Sequence, residues 1–145
     1  MRKVSEVMTR DVEVIRPAET LQRAAQRMDE LNVGALPVCD GAKLVGMITD
    51  RDITVRATAA GMDPNATSVF EVMTEQTRWC TEEQSVDEVM KQMADVQIRR
   101  LPVLDEQRHL VGIVSLGDLA VRQNTHIDGA LRGISSPSEP DRPSA

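Results

Sequence analysis

Two halves of this 145-residue chain repeat one another, and the register of that repeat limits what the chain can fold into more than any other property of its sequence. Val7-Met8-Thr9 matches Val72-Met73-Thr74 at a spacing of 65 residues; Met28 with Met93, Leu36-Pro37-Val38 with Leu101-Pro102-Val103, and Asp40 with Asp105 keep that spacing. One extra residue in the second copy's turn moves it to 66, where Leu44-Val45-Gly46 matches Leu110-Val111-Gly112, Asp52 matches Asp118, and Val55-Arg56 matches Val121-Arg122. A register kept over some 50 residues with a single one-residue insertion marks a duplication. Units of about 60 residues are marginal alone, so the two copies are expected to pack together.

In each copy an apolar run, Leu44 to Ile48 or Leu110 to Val114, ends in a hydroxyl residue, Thr49 or Ser115, and an aspartate follows three positions later. The hydroxyl stands where a helix N-cap belongs. The first amides of a helix lack intrahelical partners and carry partial positive charge, so such a junction can hold a phosphate. An aspartate would repel the phosphate, but its two acceptor oxygens can take the vicinal hydroxyls of a ribose, at roughly 1.5–3 kcal/mol per charge-assisted bond. The same hydroxyl-x-x-carboxylate pattern is also a capping box, in which both side chains satisfy the helix's own donors.

Along the first repeat, Ser5 opens a short helical turn, and Val12 to Ile15 alternates as a brief strand before Pro17. Thr20 caps a helix with one apolar face: Leu21, Ala24, Ala25, Met28 and Leu31. Ala35 to Cys39 and Lys43 to Thr49 read as a hairpin across Asp40-Gly41, and a helix over about 50–60 stops at Gly61. Asp63-Pro64-Asn65 marks the connection, and Ser68 with Glu71 forms a capping box. The second repeat reruns this order: a strand near Arg78 to Cys80, a helix capped by Ser85 and Glu88 with Val86, Val89, Met90, Met93 and Val96 inward, strands at Arg100 to Leu104 and His109 to Ser115, and a helix over about 116–123. The Met-rich helix faces read as core. Each unit is strand, helix, strand, strand, helix, a mixed α/β class with helices on a small sheet. The domain reading is 1–61, a connection over 62–67, 68–126, and a tail over 127–145 expected to be disordered.

Aromatics are nearly absent, with Phe70, Trp79 and no Tyr, so core volume must come from aliphatic residues and eight Met. A net charge of -6 without a basic run argues against general nucleic-acid binding. No apolar run approaches the ~20 residues that span a bilayer, and Met1-Arg2-Lys3 leads into polar sequence, so a cytosolic location is expected. Cys39 and Cys80 form neither a C-x-x-C pair nor a disulfide framework, and no ligand spacing joins them to His109 or His126 as a metal site. Neither histidine has a nucleophile nearby in sequence, and Ser115 lacks a Gly-x-Ser-x-Gly setting, so no catalytic set is expected.

A tandem repeat with Val-Met-Thr, Leu-Pro-Val and Gly-x-x-(Thr/Ser)-x-x-Asp resembles a pair of cystathionine-β-synthase (CBS) domains, the two-repeat Bateman module, over residues 1–125. Gly34 to Cys39 and Thr49 to Ile53 are similar to the first repeat of short bacterial stand-alone CBS-pair proteins. The resemblance implies a pseudo-two-fold pair of repeats with two clefts between them, which take adenosine ligands such as AMP, ADP, ATP, NAD or S-adenosylmethionine, and association into a homodimer. No cofactor is required. It further implies that Thr49 and Ser115 contact phosphate and that Asp52 and Asp118 bind ribose hydroxyls. Adenine would lie against Ile15 to Pro17 or Cys80 to Glu82, and against the strand holding Leu36-Pro37 or Leu101-Pro102. Arg100, flanked by Arg99, matches a family position where a basic residue reaches phosphate, while the first repeat has Gly34-Ala35 there. The two clefts should therefore be unequal, with the arginine-bearing one favouring more anionic ligands; Arg99 and Arg100 can also be read as an exposed edge-strand pair. Arg51 could reach a phosphate or pair with Asp50 or Glu71. Three functions follow for testing: a non-catalytic regulatory module sensing adenine nucleotides, a dimerisation or partner-binding scaffold with unoccupied clefts, and, least supported, an enzyme.

Overall fold

In a computed structural model, residues 2–75, 77–96 and 99–123 are described, without the side chains of 95, 96 and 120–123. The expected tail over 127–145, His126 and the side chain of Val96 lie outside them.

Helix α1 (Leu21–Leu31) starts where Thr20 stands in extended conformation and its hydroxyl accepts from the Arg23 amide at 3.1 Å. It ends at Asn32, whose φ of 56° is the left-handed conformation that closes a helix. Its inward face is Leu21, Ala24 and Met28; Ala25, expected on that face, is exposed, because the stripe is narrower than the apolar pattern. Strands β1 (Ala35–Asp40) and β2 (Lys43–Thr49) form the antiparallel hairpin, with a bulge between Val38 and Cys39. The next helix departs from expectation. Only Asp50–Asp52 (α2) is α-helical, and Ile53–Thr58 continues as a wider π-type turn. Three consecutive β-branched residues, Ile53, Thr54 and Val55, disfavour the tighter α geometry. Gly61, at φ +76°, closes the segment as its position suggested.

The second repeat gives β3 (Cys80–Thr81), α4 (Val86–Val96), β4 (Arg100–Leu104), β5 (Leu110–Ser115) and α5 (Leu116–Gln123), preceded by α3 (Val69–Val72). Sheet order is β3-β4-β5, with β3 parallel to β4, and the bulge recurs between Val103 and Leu104. At the position equivalent to Cys80, the first repeat has no strand over Val12 to Ile15. Ile15 alone bridges Val38, its amide donating to Pro37 O and its carbonyl accepting from Cys39 N, both at 3.0 Å.

The compact units are not the sequence repeats. Among the described residues one comprises 2–12 with 78–123 and the other 13–77, so boundaries at 1–61 and 68–126 follow the duplication while the compact units follow the contacts. Each repeat gives up its opening segment. Thr9 and Ile113 exchange two amide-to-carbonyl bonds at 2.9 Å, and Thr74 and Met47 do the same at 2.8 and 2.9 Å. The 3-10 turn Val4–Glu6 hangs on the second repeat through Val4 N to Gln84 O and Ser5 N to Glu82 O; its counterpart α3 hangs on the first through Val69 N to Glu19 O and Phe70 N to Pro17 O. Gly46 and Gly112 permit the approach: a Cβ on Gly46 would lie 2.6 Å from Thr74 O, and one on Gly112 2.8 Å from Thr9 O.

Each unit has its own core. Val4, Val7, Val89, Met93, Leu101, Val103, Val114 and Leu119 fill one; Ile15, Leu21, Leu36, Val38, Ile48, Val69 and Val72 fill the other. The repeat valines Val7 and Val72 thus sit in the core of the opposite repeat's sheet. Among the described residues no helix is long and apolar enough to cross a membrane.

Candidate functional site

Each hairpin delivers its second strand into a helix at the hydroxyl residue, and a backbone bond locks that corner. Asp50 N donates to Gly34 O at 2.9 Å, and Leu116 N to Arg99 O at 2.8 Å. Thr49 stands across from Ala35, and Ser115 across from Arg100. Cross-strand partners share a face, so Arg100 accompanies Ser115 whereas a methyl group accompanies Thr49. Arg100 is half-buried and Arg99 exposed.

Both hydroxyls cap their helices: Asp52 N donates to Thr49 Oγ1 at 3.0 Å, and Asp118 N to Ser115 Oγ at 2.9 Å. The aspartates then part company. Asp52 is buried and its Oδ2 accepts from the Thr49 amide at 3.1 Å, completing the capping box. Its Oδ1 faces Arg56 Nε at 3.7 Å, and Arg56 also donates to Val72 O and Met73 O at 3.3 and 3.4 Å. Asp118 is half-buried, and among the described residues its carboxylate accepts no hydrogen bond from the Ser115 amide. The capping reading therefore describes the first junction in full and the second by half.

Of the residues expected to line adenine, Ile15, Leu36, Cys80 and Leu101 are core residues with 1–2% exposure, and Pro37 and Pro102 are buried as well. What they can offer a ligand is backbone and shape. Pro17 is half-buried and its carbonyl is taken by Phe70 N. The structure brings Ile15 against Pro37-Val38 in one unit and Cys80 against Val103 in the other. Arg51 is exposed, and among the described residues no ion pair joins it to Asp50 or Glu71.

The cysteines are buried thiols, and burial pushes Cys39 up to about 11 and Cys80 up to about 12. His109 Nδ1 lies 3.8 Å from Asp105 Oδ2, and among the described residues no three His, Cys, Asp or Glu side chains converge to hold a metal. An open cavity of about 570 Å³ lies at the far end of the second hairpin, lined by Thr81, Glu82, Glu83, Leu104, Asp105, Glu106 and Gln107. Four carboxylates make it unfit for a phosphate. Sequence reasoning missed Arg56 and the two strand glycines; a glycine at the same place in both apolar runs was the available signal for the latter.

Two capped junctions on duplicated α/β units, each unit completed by the other repeat's opening segment, define a paired-repeat module. The chain belongs to the CBS domain family, whose model matches residues 4–57 and 69–123. It is similar to the CBS domain-containing protein YhcV of Bacillus subtilis, 46% identical over 93% of this chain and 96% of that protein. Hypoxic response protein 1 of Mycobacterium tuberculosis is 39% identical over 94% of this chain and 96% of that one. A crystal structure of Hypoxic Response Protein I with two coordinated zinc ions matches with a TM-score of 0.76 over 84% of this chain and 99% of that chain. CBSX2, a CBS-pair protein of Arabidopsis thaliana, has been solved in complex with AMP; at 24% identity and a TM-score of 0.75, over 88% of this chain and 98% of that one, it speaks to the fold alone.

Proposed function

We propose that this protein is a non-catalytic regulatory module that binds an adenosine-type ligand, of the AMP, ADP and ATP class or NAD or S-adenosylmethionine, at its strand-to-helix junctions. The observation that carries the reading is the second junction: a capped helix start, a carboxylate not turned back on its own amide, and Arg100 across the strand from the capping Ser115. Asp118 would accept from the ribose hydroxyls, Ser115 would meet the phosphate, and Arg100 with Arg99 would balance its charge. The AMP complex of CBSX2 makes a nucleotide the natural first ligand to try.

The scaffold reading is favoured at the first junction, where Asp52 serves the helix itself. A homodimer belongs to both readings, and exposed Val55 and Phe70, at 50% and 58%, supply apolar surface for it. Thermal-shift and calorimetric titration of the full chain with AMP, ADP, ATP, NAD and S-adenosylmethionine tests the proposal. A ligand at a hundred times its Kd raises stability by about 2.7 kcal/mol. Neither heat nor a shift with any of the five up to millimolar concentration would remove the sensor reading and leave the scaffold.

A further inference from the structure

The two junctions differ most where a phosphate would have to sit, and the difference comes from Asp50. Asp50 is the first helical residue after Thr49, and its carboxylate packs over Gly34: a Cβ on Gly34 would lie 3.0 Å from Asp50 Oδ2. The matching residues of the second repeat are Leu116 and Arg99. Beside Thr49 there are thus two carboxylates, Asp50 and Asp52, with a methyl group across the strand; beside Ser115 there is one carboxylate, Asp118, with Arg100 across the strand. Asp52 is partly balanced by Arg56, but Arg56 is 3.7 Å away and divides its donors with two main-chain carbonyls. Asp50 has no such partner among the described residues.

Resting on the adenosine reading, we propose that Asp50 is a specificity-determining residue: it bars phosphate from the first junction, so the chain takes one phosphorylated adenosine ligand, at the second. Gly34 belongs to the same device, since any side chain there would displace the carboxylate that does the excluding.

Calorimetry of the full chain with AMP reads the stoichiometry. The expected result is one AMP per chain, with Asp118→Ala weakening binding at least tenfold. The double substitution Ala35→Arg with Asp50→Leu rebuilds the first junction on the pattern of the second and should raise the count to two. Asp50→Asn, which keeps the shape and removes the charge, carries the test if the double variant does not fold, and should add a second, weaker AMP. Two AMP of similar affinity in the unaltered chain, or a count of one in both a folded double variant and Asp50→Asn, overturns the role of Asp50 and leaves the adenosine reading standing. No AMP bound by any of the proteins, with no other adenosine ligand bound either, overturns both.

Discussion

At Thr49 the carboxylate three residues on turns back to its own N-cap amide; at Ser115, among the described residues, the corresponding carboxylate does not, although the hydroxyl in front of it caps in the same way. The two corners share spacing, strand register and the backbone bond that fixes the turn. What separates them lies in the flanking residues. Asp50 over Gly34 adds a second carboxylate to the first corner, and Leu116 stands at its place in the second. A motif held in duplicate can therefore keep its structural use in both copies and be free for a ligand in only one.

The largest effect tests how independent the two copies are. Cutting the connection at Asn65 and expressing either half alone should abolish cooperative unfolding by circular dichroism, because each half lacks the segment that completes its sheet. A half that melts cooperatively as a monomer would show that the exchanged segments are decoration.

Next come the strand glycines. Gly46→Ala is expected to cost about 3 kcal/mol in urea unfolding, at the upper end of overpacking losses, since the new methyl would meet the Thr74 carbonyl at 2.6 Å. Gly112→Ala should cost somewhat less, its main-chain contact being 2.8 Å and its other neighbour the flexible Met8 sulfur.

Smaller again is the contrast between the aspartates. Asp52→Ala removes a capping-box partner and should lower stability by about 1 kcal/mol, while Asp118→Ala, without ligand, should stay within about 0.5 kcal/mol of the parent. Equal losses would mean that the two junctions are used alike.

The thiols give the smallest effect. Both titrate higher folded than unfolded, from 9.0 to about 11 for Cys39 and about 12 for Cys80. The unfolded chain therefore loses these protons first, and the thiols' contribution is intact below pH 9 and declines as pH rises toward 11–12. Melting temperatures at pH 8 and 10 should show the decline, and alkylation of the folded chain at high pH should reach Cys39 before Cys80.

Much of the fold could be read from the residues because it is written in local patterns. Thr20 and the Leu21-Ala24-Met28 stripe specify α1, and alternating apolar runs broken at Asp40-Gly41 specify the hairpin. The exchange could not be read, because Thr9 and Thr74 each contribute a single bridging residue, too short to leave a periodicity. The alternation over Val12 to Ile15 likewise overstates the strand, since only Ile15 bridges. At the site, the hydroxyl and aspartate positions were legible, but which carboxylate turns back was not, because the two copies carry the same hydroxyl-x-x-aspartate spacing and differ only in how Asp52 and Asp118 are used.

A lone copy of this unit would end with an unpaired outer strand and a dangling leader that fits only another copy's edge. Two separate chains could satisfy each other by trading leaders, and joining them head to tail makes that trade intramolecular. Tethering in this way raises the effective concentration of the missing piece to roughly millimolar without adding a contact, so the short stretch around Asp63-Pro64-Asn65 does thermodynamic work out of proportion to its size.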